Sequence, residues 1–281
     1  MSIINYDTLV LSGASTKAFI MLGALQKLYD DGKHKEITTF IGTSAGAMIN
    51  YLLIIGYTPI EIFLYICTQQ LLDKIPQFNL FAILQGKSAS SFISIQEILE
   101  RMTIDKIGYL PTISDIKQNF KKNFICVTYN LTENCTEYIS EQTHPKIPCI
   151  TALRMTSNLP FIFEQFKYGH SFYIDGGISE HFPILLGEEL GNKVLGLVIF
   201  SANYREIKTD AETDMLEYLY KLICIPSDQS CRYKIKQANP EKSTIIEVEP
   251  CNHKMFHFHL KSKEQMELFS MGYQQLKNTT Y

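Results

Sequence analysis

FIGTSAGAMIN, from Phe40 to Asn50, places Ser44 between two glycines at the end of an apolar run. The apolar and β-branched residues Thr38 to Ile41 predict a short buried strand. Residues Ala45 to Ile55 are apolar at helical spacing and predict a helix that begins directly after the serine. A strand that enters a helix through such small residues predicts a tight turn, with the hydroxyl of Ser44 at its tip.

Gly42, Ser44 and Gly46 satisfy the pattern G-x-S-x-G. In this pattern the serine occupies a strained strand-to-helix turn, and the glycines let neighbouring backbone approach it closely. The helix that follows directs free N–H groups and its positive dipole end toward the reacting oxygen. The pattern therefore predicts a nucleophile at Ser44, although a glycine-rich turn with a capping serine has the same sequence.

Two further loops follow short apolar strands. Thr8 to Leu11 predicts a first strand, which leads into small residues from Gly13 to Lys17 whose backbone N–H groups suit an oxyanion or a phosphate. Asp175 follows the short strand Tyr173-Ile174. Because sites in open parallel sheets form at the carboxyl ends of the strands, we expect Asp175 to lie at the same edge as Ser44. A plain Asp-Gly turn is the structural alternative.

Strand patterns alternate with helical patterns along the chain, which predicts a three-layer α/β/α fold with a mainly parallel central sheet. We expect a single domain over residues 1–281, with the core motifs in about 7–199 and a C-terminal extension in 200–281. Besides those given above, the predicted strands are Phe124 to Leu131 and Glu137 to Ile139 as a hairpin, Lys193 to Ser201, and Ser243 to Val248. The predicted helices are Thr16 to Asp30, Asp214 to Cys224 and Ser262 to Leu276.

The bulk composition is that of an ordinary globular protein. The chain has 281 residues, 46% of them apolar and 20% charged, with a net charge of -3, so the charge does not favour nucleic acid as a partner. Seven cysteines without a C-x-x-C pair, and no secretory signal pattern, predict reduced thiols in the cytoplasm. Gly56 to Pro59 interrupts the most apolar stretch, Ala47 to Cys67, which therefore predicts two buried helices rather than a membrane span.

Taken together, the loops resemble the patatin-like phospholipase family over roughly Asp7 to Leu276. LSGASTKAFIMLGALQKL is similar to the first loop and helix of the family, and FIGTSAGAM to its nucleophile elbow. ALRMTSNLPFIF, from Ala152 to Phe163, resembles the segment that leads toward the acidic motif, and YIDGGISEHFPI, from Tyr173 to Ile184, resembles the acidic motif itself. LKSKEQMELFSMGYQQL is similar to the final helix of many members.

The resemblance implies a lipid acyl hydrolase with a Ser–Asp dyad, in which Ser44 attacks a carboxylic ester and Asp175 is the general base. It implies no metal and no cofactor, a phospholipid or other acyl lipid as the substrate, and transient contact with a membrane surface. Lys17 is a candidate contact for a lipid phosphate. The oxyanion hole is expected from backbone N–H groups of Gly13, Ala14, Ser15 and Ala45, and the turns are expected to depend on Gly42, Gly46, Gly176 and Gly177.

The first loop departs from the family pattern. The family has a run of glycines where this chain reads Gly13-Ala-Ser-Thr-Lys-Ala18, and His181 stands where the family commonly has asparagine. A positive φ at Ala14 or Ser15 costs about 1 kcal/mol in strain. The alternative to an active enzyme is therefore a catalytically weak or inactive patatin-like protein that binds lipid.

Histidine residues and one irregular segment support three other interpretations. A Ser-His-Asp hydrolase also carries G-x-S-x-G and takes its base from a histidine. A metal site is conceivable in the sequence around KMFHFHL. Crowded apolar residues between Leu71 and Phe92 predict a cap that touches membrane. The candidate histidines are His181, His253, His257 and His259 for the hydrolase, and the last three of these for the metal.

Overall fold

The computed structural model describes residues 5–69, 91–199, 215–249 and 260–277. A mixed sheet forms its centre. The strands are β1 Thr8–Leu11, β2 Thr39–Thr43, β3 Asn123–Asn130, β4 Cys135–Ile139, β5 Phe166–Tyr168, β6 Ser171–Asp175, β7 Val194–Ile199 and β8 Ser243–Val248. Their order across the sheet is β5-β6-β3-β2-β1-β7-β8, and β4 pairs with β3 on the side of this path.

Helices cover both faces of the sheet. They are α1 Ala18–Asp30, α2 Ala45–Ile54, α3 Pro59–Thr68, α4 Ile93–Ile107, α5 Ile113–Phe120, α6 Cys149–Thr156, α7 Ile184–Leu190, α8 Met215–Gln237 and α9 Ser262–Lys277, with 3-10 turns at Ser15–Lys17 and Gly176–Ile178. Leu9 and Leu11 of β1 pack in one apolar cluster and Val10 in another, because successive side chains of a strand point to opposite faces. Both faces are buried, and the predicted three-layer α/β/α fold is confirmed.

The sheet has a parallel part and an antiparallel part. β2, β1, β7 and β8 pair in parallel, and β3 joins them by its parallel pairing with β2. β4 and β6 are antiparallel to β3, and β5 is antiparallel to β6. The short turn at 131–134 accounts for the predicted β3–β4 hairpin, because so short a connection joins only antiparallel strands.

The direction of β6 corrects one part of the sequence argument. Asp175 was expected at the carboxyl edge because its strand was taken as one more strand of a parallel sheet. β6 instead runs against β3 and pairs Asp175 with Thr128, while Thr43 of β2 pairs with Val127. Because Val127 and Thr128 are neighbours in β3, the end of β6 lies beside the end of β2, next to Ser44. Asp175 is therefore at the predicted place, but at the end of an antiparallel strand rather than of a parallel one.

The C-terminal elements attach to both sides of the sheet. β8 extends the sheet by pairing with β7, and α9 packs along α1. A Cβ atom on Gly23 would overlap the carbonyl oxygen of Phe269, and one on Gly272 would overlap that of Ile20, so the two helix backbones touch. These contacts support the prediction of one domain over the whole chain, which stays a prediction.

Helix α8 is much longer than predicted. The predicted helix, Asp214 to Cys224, ends before Pro226, a residue that has no N–H to donate to a helix. In the structure the helix continues through Pro226 to Gln237. Its later turns pack Cys231 against the second apolar cluster, and this tertiary contact offsets the missing hydrogen bond.

Among the described residues, no single helix is long and apolar enough to cross a membrane. Helices α2 and α3, which bend by 114° at their junction, pass that test of length and composition only as a pair. The two predicted helices on either side of Gly56 to Pro59 are thus present as separate elements. Most of the predicted cap from Leu71 to Phe92 lies outside the described residues.

Candidate active site

Ser44 occupies a strained turn between β2 and α2. Its backbone has φ 53° and ψ -125°, a conformation that costs a non-glycine residue about 1–3 kcal/mol. The neighbouring glycines supply space. A Cβ atom on Gly42 would lie 2.6 Å from the nitrogen of Ala47, and one on Gly46 would lie 2.8 Å from the carbonyl oxygen of Leu11. The glycines thus let the strand, the helix and the first loop meet while Ser44 carries the strain.

A threonine of α6 holds the backbone of this turn. The N–H of Ser44 donates to Oγ1 of Thr156 at 2.9 Å, and the hydroxyl of Thr156 donates to the carbonyl oxygen of Val127 in β3. Thr156 was not among the residues predicted for the site. The signal was present, because Thr156 lies in the segment ALRMTSNLPFIF that carries part of the family resemblance.

The side chains of Ser44 and Asp175 are in direct contact. Oγ of Ser44 donates to Oδ2 of Asp175 at 2.6 Å, and both residues are buried. Oδ1 of Asp175 accepts from the N–H of Gly177 at 2.7 Å, so both carboxyl oxygens have a donor. A Cβ atom on Gly176 would overlap the carbonyl oxygen of Val127, which explains the glycine directly after the aspartate. The structure therefore brings the predicted pair together.

Burial changes the acidity of the carboxyl group. Desolvation raises the pKa of Asp175 to about 6, and the hydrogen bonds from Ser44 and Gly177 lower it by less than burial raises it. A carboxylate with a pKa near neutrality is a far better proton acceptor than an exposed aspartate. At neutral pH, Asp175 is mostly ionised and able to accept the proton of Ser44.

The first loop, Gly13 to Lys17, lies next to the turn at Ser44, and its backbone N–H groups differ in whether they have an acceptor. The N–H of Gly13 donates to the carbonyl oxygen of His181 at 3.1 Å, so of the predicted oxyanion donors this one already has an acceptor. Among the described residues, the N–H groups of Ala14 and Ala45 have no acceptor. Ser15 has φ 49° and bears the expected strain, whereas Ala14 has φ -142° and bears none.

His181 lies beside the dyad but not between its members. A Cβ atom on Gly13 would be 3.1 Å from Nδ1 of His181 and 3.9 Å from Cβ of Ser44. Burial, together with the charge of Lys17, lowers the pKa of His181 to about 4, so the imidazole is neutral at physiological pH. Since Ser44 donates directly to Asp175, the geometry does not favour a Ser-His-Asp triad with His181 as its base.

An apolar cavity of about 150 Å³ opens at Ser44. Its lining comes mainly from α1, α2, α3 and α4 and is almost wholly apolar. The polar lining residues are Ser15, Thr16, Ser44 and Ser157, and the apolar ones are Ala18, Phe19, Leu22, Ala45, Met48, Ile49, Leu52, Ile62, Ile66, Phe92, Ile95, Ile98, Leu99, Met102, Leu159 and Phe163.

The described residues contain no group of three or more His, Cys, Asp or Glu side chains that could hold a metal ion. The histidines of the KMFHFHL segment, which were the candidates for a metal site or for a triad base, lie outside the described ranges.

Comparison with known proteins identifies relatives of this chain. The model of the patatin-like phospholipase family matches residues 9–186. A probable lipid hydrolase, 463L, of Invertebrate iridescent virus 6 is 32% identical over 194 residues, which cover 67% of this chain and 65% of the viral protein. An uncharacterized protein, R571, of Acanthamoeba polyphaga mimivirus is 27% identical over 278 residues, which cover 96% of this chain and 92% of that protein.

Solved structures share the fold at low sequence identity. VipD from Legionella pneumophila superimposes with a TM-score of 0.57 at 15% identity, over 98% of this chain and 66% of VipD. Human GIVD cytosolic phospholipase A2, solved with methyl gamma-linolenyl fluorophosphonate, gives 0.54 at 9% identity, over 96% of this chain and 56% of the enzyme. Because the family model matches more than half of its length, this chain belongs to the patatin-like phospholipase family.

Proposed function

We propose that the protein hydrolyses carboxylic esters of phospholipids or related acyl lipids, with Ser44 as the nucleophile and Asp175 as the general base. One observation carries the proposal: Oγ of Ser44 donates to Oδ2 of Asp175 at 2.6 Å, and an apolar cavity opens at the same serine. Family membership and the lipid hydrolase relative support lipid hydrolysis in general. The dyad and the ester specificity are the finer part of the proposal.

The geometry supports a two-step mechanism. Oγ of Ser44 attacks the carbonyl carbon of the ester as its proton passes to Asp175, and the carbonyl oxygen becomes an oxyanion. The oxyanion accepts hydrogen bonds from backbone N–H groups of Ala14, Ser15 and Ala45. Asp175 then returns the proton to the oxygen of the leaving alcohol, and the acyl group stays on Ser44.

Water completes the cycle. Asp175 accepts a proton from a water molecule that attacks the acyl carbonyl carbon, the second tetrahedral intermediate collapses, and Ser44 regains the proton. The fatty acid is released and the free hydroxyl of Ser44 is regenerated. The same carboxylate thus acts twice, and for this its pKa of about 6 is well suited.

The cavity supports an acyl chain as the group that enters first. Its walls are almost wholly aliphatic and aromatic, so a hydrocarbon chain gains free energy by leaving water there. Lys17, whose charge contributes to the lowered pKa of His181, is the proposed contact for a lipid phosphate. Entry from an aggregate or bilayer requires transient contact with its surface, and this contact is part of the proposal.

The proposal is tested by acyl release from mixed phospholipid vesicles. Parent, Ser44→Ala and Asp175→Asn proteins are purified in parallel, with Ser270→Ala, an exposed serine of α9, as the matched control. We expect release by the parent and the control, and a loss of at least about 1000-fold in both dyad variants, because each removes one member of a unit that acts together. Reaction with a fluorophosphonate should label the parent and not Ser44→Ala.

An inactive parent would contradict the proposal. If no lipid class is hydrolysed and no fluorophosphonate is attached, while the parent still binds the vesicles, the protein is the lipid-binding relative that the altered first loop suggested. If Asp175→Asn keeps full activity, Ser44 has another base.

A further inference from the structure

Helix α8 contacts the loop that follows Asp175 at two points. The hydroxyl of Ser227 donates to the carbonyl oxygen of Gly177 at 2.6 Å, and Lys234 forms an ion pair with Glu180. Ser227 is only 3% exposed, so this hydrogen bond is shielded from water. The helix follows residue 186, where the match to the family model ends, and the sequence argument gave it no role at the site.

Gly177 connects this contact to the dyad. Its carbonyl oxygen accepts from Ser227, and its N–H donates to Oδ1 of Asp175 at 2.7 Å. Glycine has the widest choice of backbone conformations, so its own geometry does little to hold the N–H toward the carboxyl group. The φ and ψ angles of Gly177 relate the direction of its N–H to that of its carbonyl group. When Ser227 fixes the carbonyl oxygen, these angles are restricted and so is the direction of the N–H.

The ion pair between Lys234 and Glu180 holds a residue that is bonded to Thr43, the neighbour of Ser44. The backbone carbonyl oxygen of Glu180 accepts from the hydroxyl of Thr43 at 2.9 Å, and Thr43 directly precedes Ser44. Lys234 holds the side chain of Glu180 from the α8 side. The loop from Gly177 to Glu180 is therefore bound to α8 on one side, and on the other to Asp175 and to Thr43, the residue before Ser44.

We propose that Ser227 is a positioning residue for the ester hydrolysis proposed above: it fixes Gly177 so that the Gly177 N–H stays directed at Oδ1 of Asp175. Ser227 does not touch the reacting atoms and acts through Gly177 alone. The proposal rests on the proposed function for its effect on catalysis, but its effect on the carboxyl group can be measured independently.

Removal of the Ser227 hydroxyl has a defined electrostatic consequence. The hydrogen bond from Gly177 favours the ionised carboxylate, so its weakening raises the pKa of Asp175 above its present value of about 6. Ser44 and Gly177 are the groups that donate to the carboxyl oxygens, and the neutral imidazole of His181 lies nearby. The charged side chains around the loop, which the variants leave in place, are Lys17, Glu180, Asp228, Arg232 and Lys234.

The experiment compares the parent with Ser227→Ala, Ser227→Thr and the control Ser230→Ala on the same helix. The carboxyl pKa of Asp175 is measured by carbon-13 NMR titration, and kcat/KM for acyl release is measured from pH 4.5 to 8. We expect Ser227→Ala to raise the titration midpoint and the acidic limb of kcat/KM together by about half a pH unit or more, which is roughly a twofold loss of activity at pH 6 and about a threefold loss at pH 4.5. Ser227→Thr keeps the hydroxyl and should restore the parent values.

The two proposals fail in different ways. An unchanged Asp175 titration in folded Ser227→Ala would overturn the positioning role, whatever the activity. If Ser227→Ala shifts the Asp175 titration but the parent releases no fatty acid, the positioning role stands and the proposed function is contradicted. If Ser227→Ala does not fold, the nearly isosteric Ser227→Cys, a weaker donor, should give a smaller shift in the same direction, and an unchanged titration in that variant would count against the proposal.

Discussion

Two residues at the site occupy states that are unfavourable by themselves. Ser44 has a backbone conformation that few non-glycine residues adopt, and Asp175 is a carboxylate removed from water. Both are held by neighbours: Thr156 accepts from the N–H of Ser44, and Gly177 donates to Asp175. Strain and desolvation of this kind concentrate at functional sites because a group held away from its lowest free-energy state is more reactive.

Asp175 should therefore lower the stability of the protein at neutral pH. Its pKa is raised in the folded state, so the folded protein binds more protons than the unfolded chain between about pH 4 and 6. Stability falls as pH rises through this window. We expect the free energy of unfolding of Asp175→Asn to exceed that of the parent at pH 7 by on the order of 1–3 kcal/mol. This difference should disappear near pH 4.

Urea titrations at pH 4, 5, 6 and 7 measure this difference, and Glu97→Gln on α4 is a suitable control because Glu97 is exposed. Equal stabilities of parent and Asp175→Asn at every pH would show that Asp175 is not penalised by burial.

At the scale of elements, the contact between α1 and α9 depends on glycine at two places. Gly23 and Gly272 leave no space between the helix backbones, and α1 begins directly after the loop from Gly13 to Lys17, which we propose to supply oxyanion donors. We expect Gly272→Ala to separate α9 from α1 and to cost at least about 1–3 kcal/mol of folding free energy, as overpacking of a rigid contact does. Chemical denaturation measures the loss, and Ser270→Ala, exposed on the same helix, should leave stability unchanged within about 0.5 kcal/mol.

The local pattern of apolar and small residues predicted those helices and strands whose bounds depend on their own residues. β1 was predicted at its observed bounds, and α1, α2 and α9 within two residues at each end, because apolar spacing and small-residue turns are local signals. The direction of β6 and the length of α8 were not predictable in this way. β6 is placed by its pairing with β3, and α8 continues through Pro226 because its later turns find a surface to cover.

The same division applies to the site. Ser44 and Asp175 were found because glycines mark their turns in the sequence, and the family resemblance connected them. The engagement of Gly13 with His181 was not visible, because it joins residues far apart in the chain. Ser227 was missed for the same reason: a lone serine in a helix gives no signal until its acceptor is known.

At the scale of the whole molecule, the cavity and an exposed aromatic residue lie on the same segment. Phe161 is 42% exposed and has φ 68°, while Leu159 and Phe163 on either side of it line the cavity. A large apolar side chain held outward beside an apolar opening suits the surface of a bilayer. We propose that Phe161 takes part in the transient membrane contact.

Vesicle flotation tests this contact. Phe161→Ser should bind mixed phospholipid vesicles at least about threefold more weakly than the parent, since the burial of one aromatic side chain in a bilayer is worth about 1 kcal/mol or more. Tyr233→Ser is the control, because Tyr233 is exposed on α8, the helix that packs on the opposite face of the sheet. Equal flotation of Phe161→Ser and the parent would remove Phe161 from the contact.

The hydrogen bond from Ser227 to Gly177 also has a consequence for biosynthesis. A ribosome completes Asp175 and Ser44 well before α8, so a nascent chain carries both members of the dyad while Gly177 still lacks its partner. Under the positioning role proposed here, the carboxyl group of such a chain is oriented less firmly than in the finished protein. The dyad would then reach its final geometry only late in translation, once α8 has been made and has packed on the loop that follows Asp175.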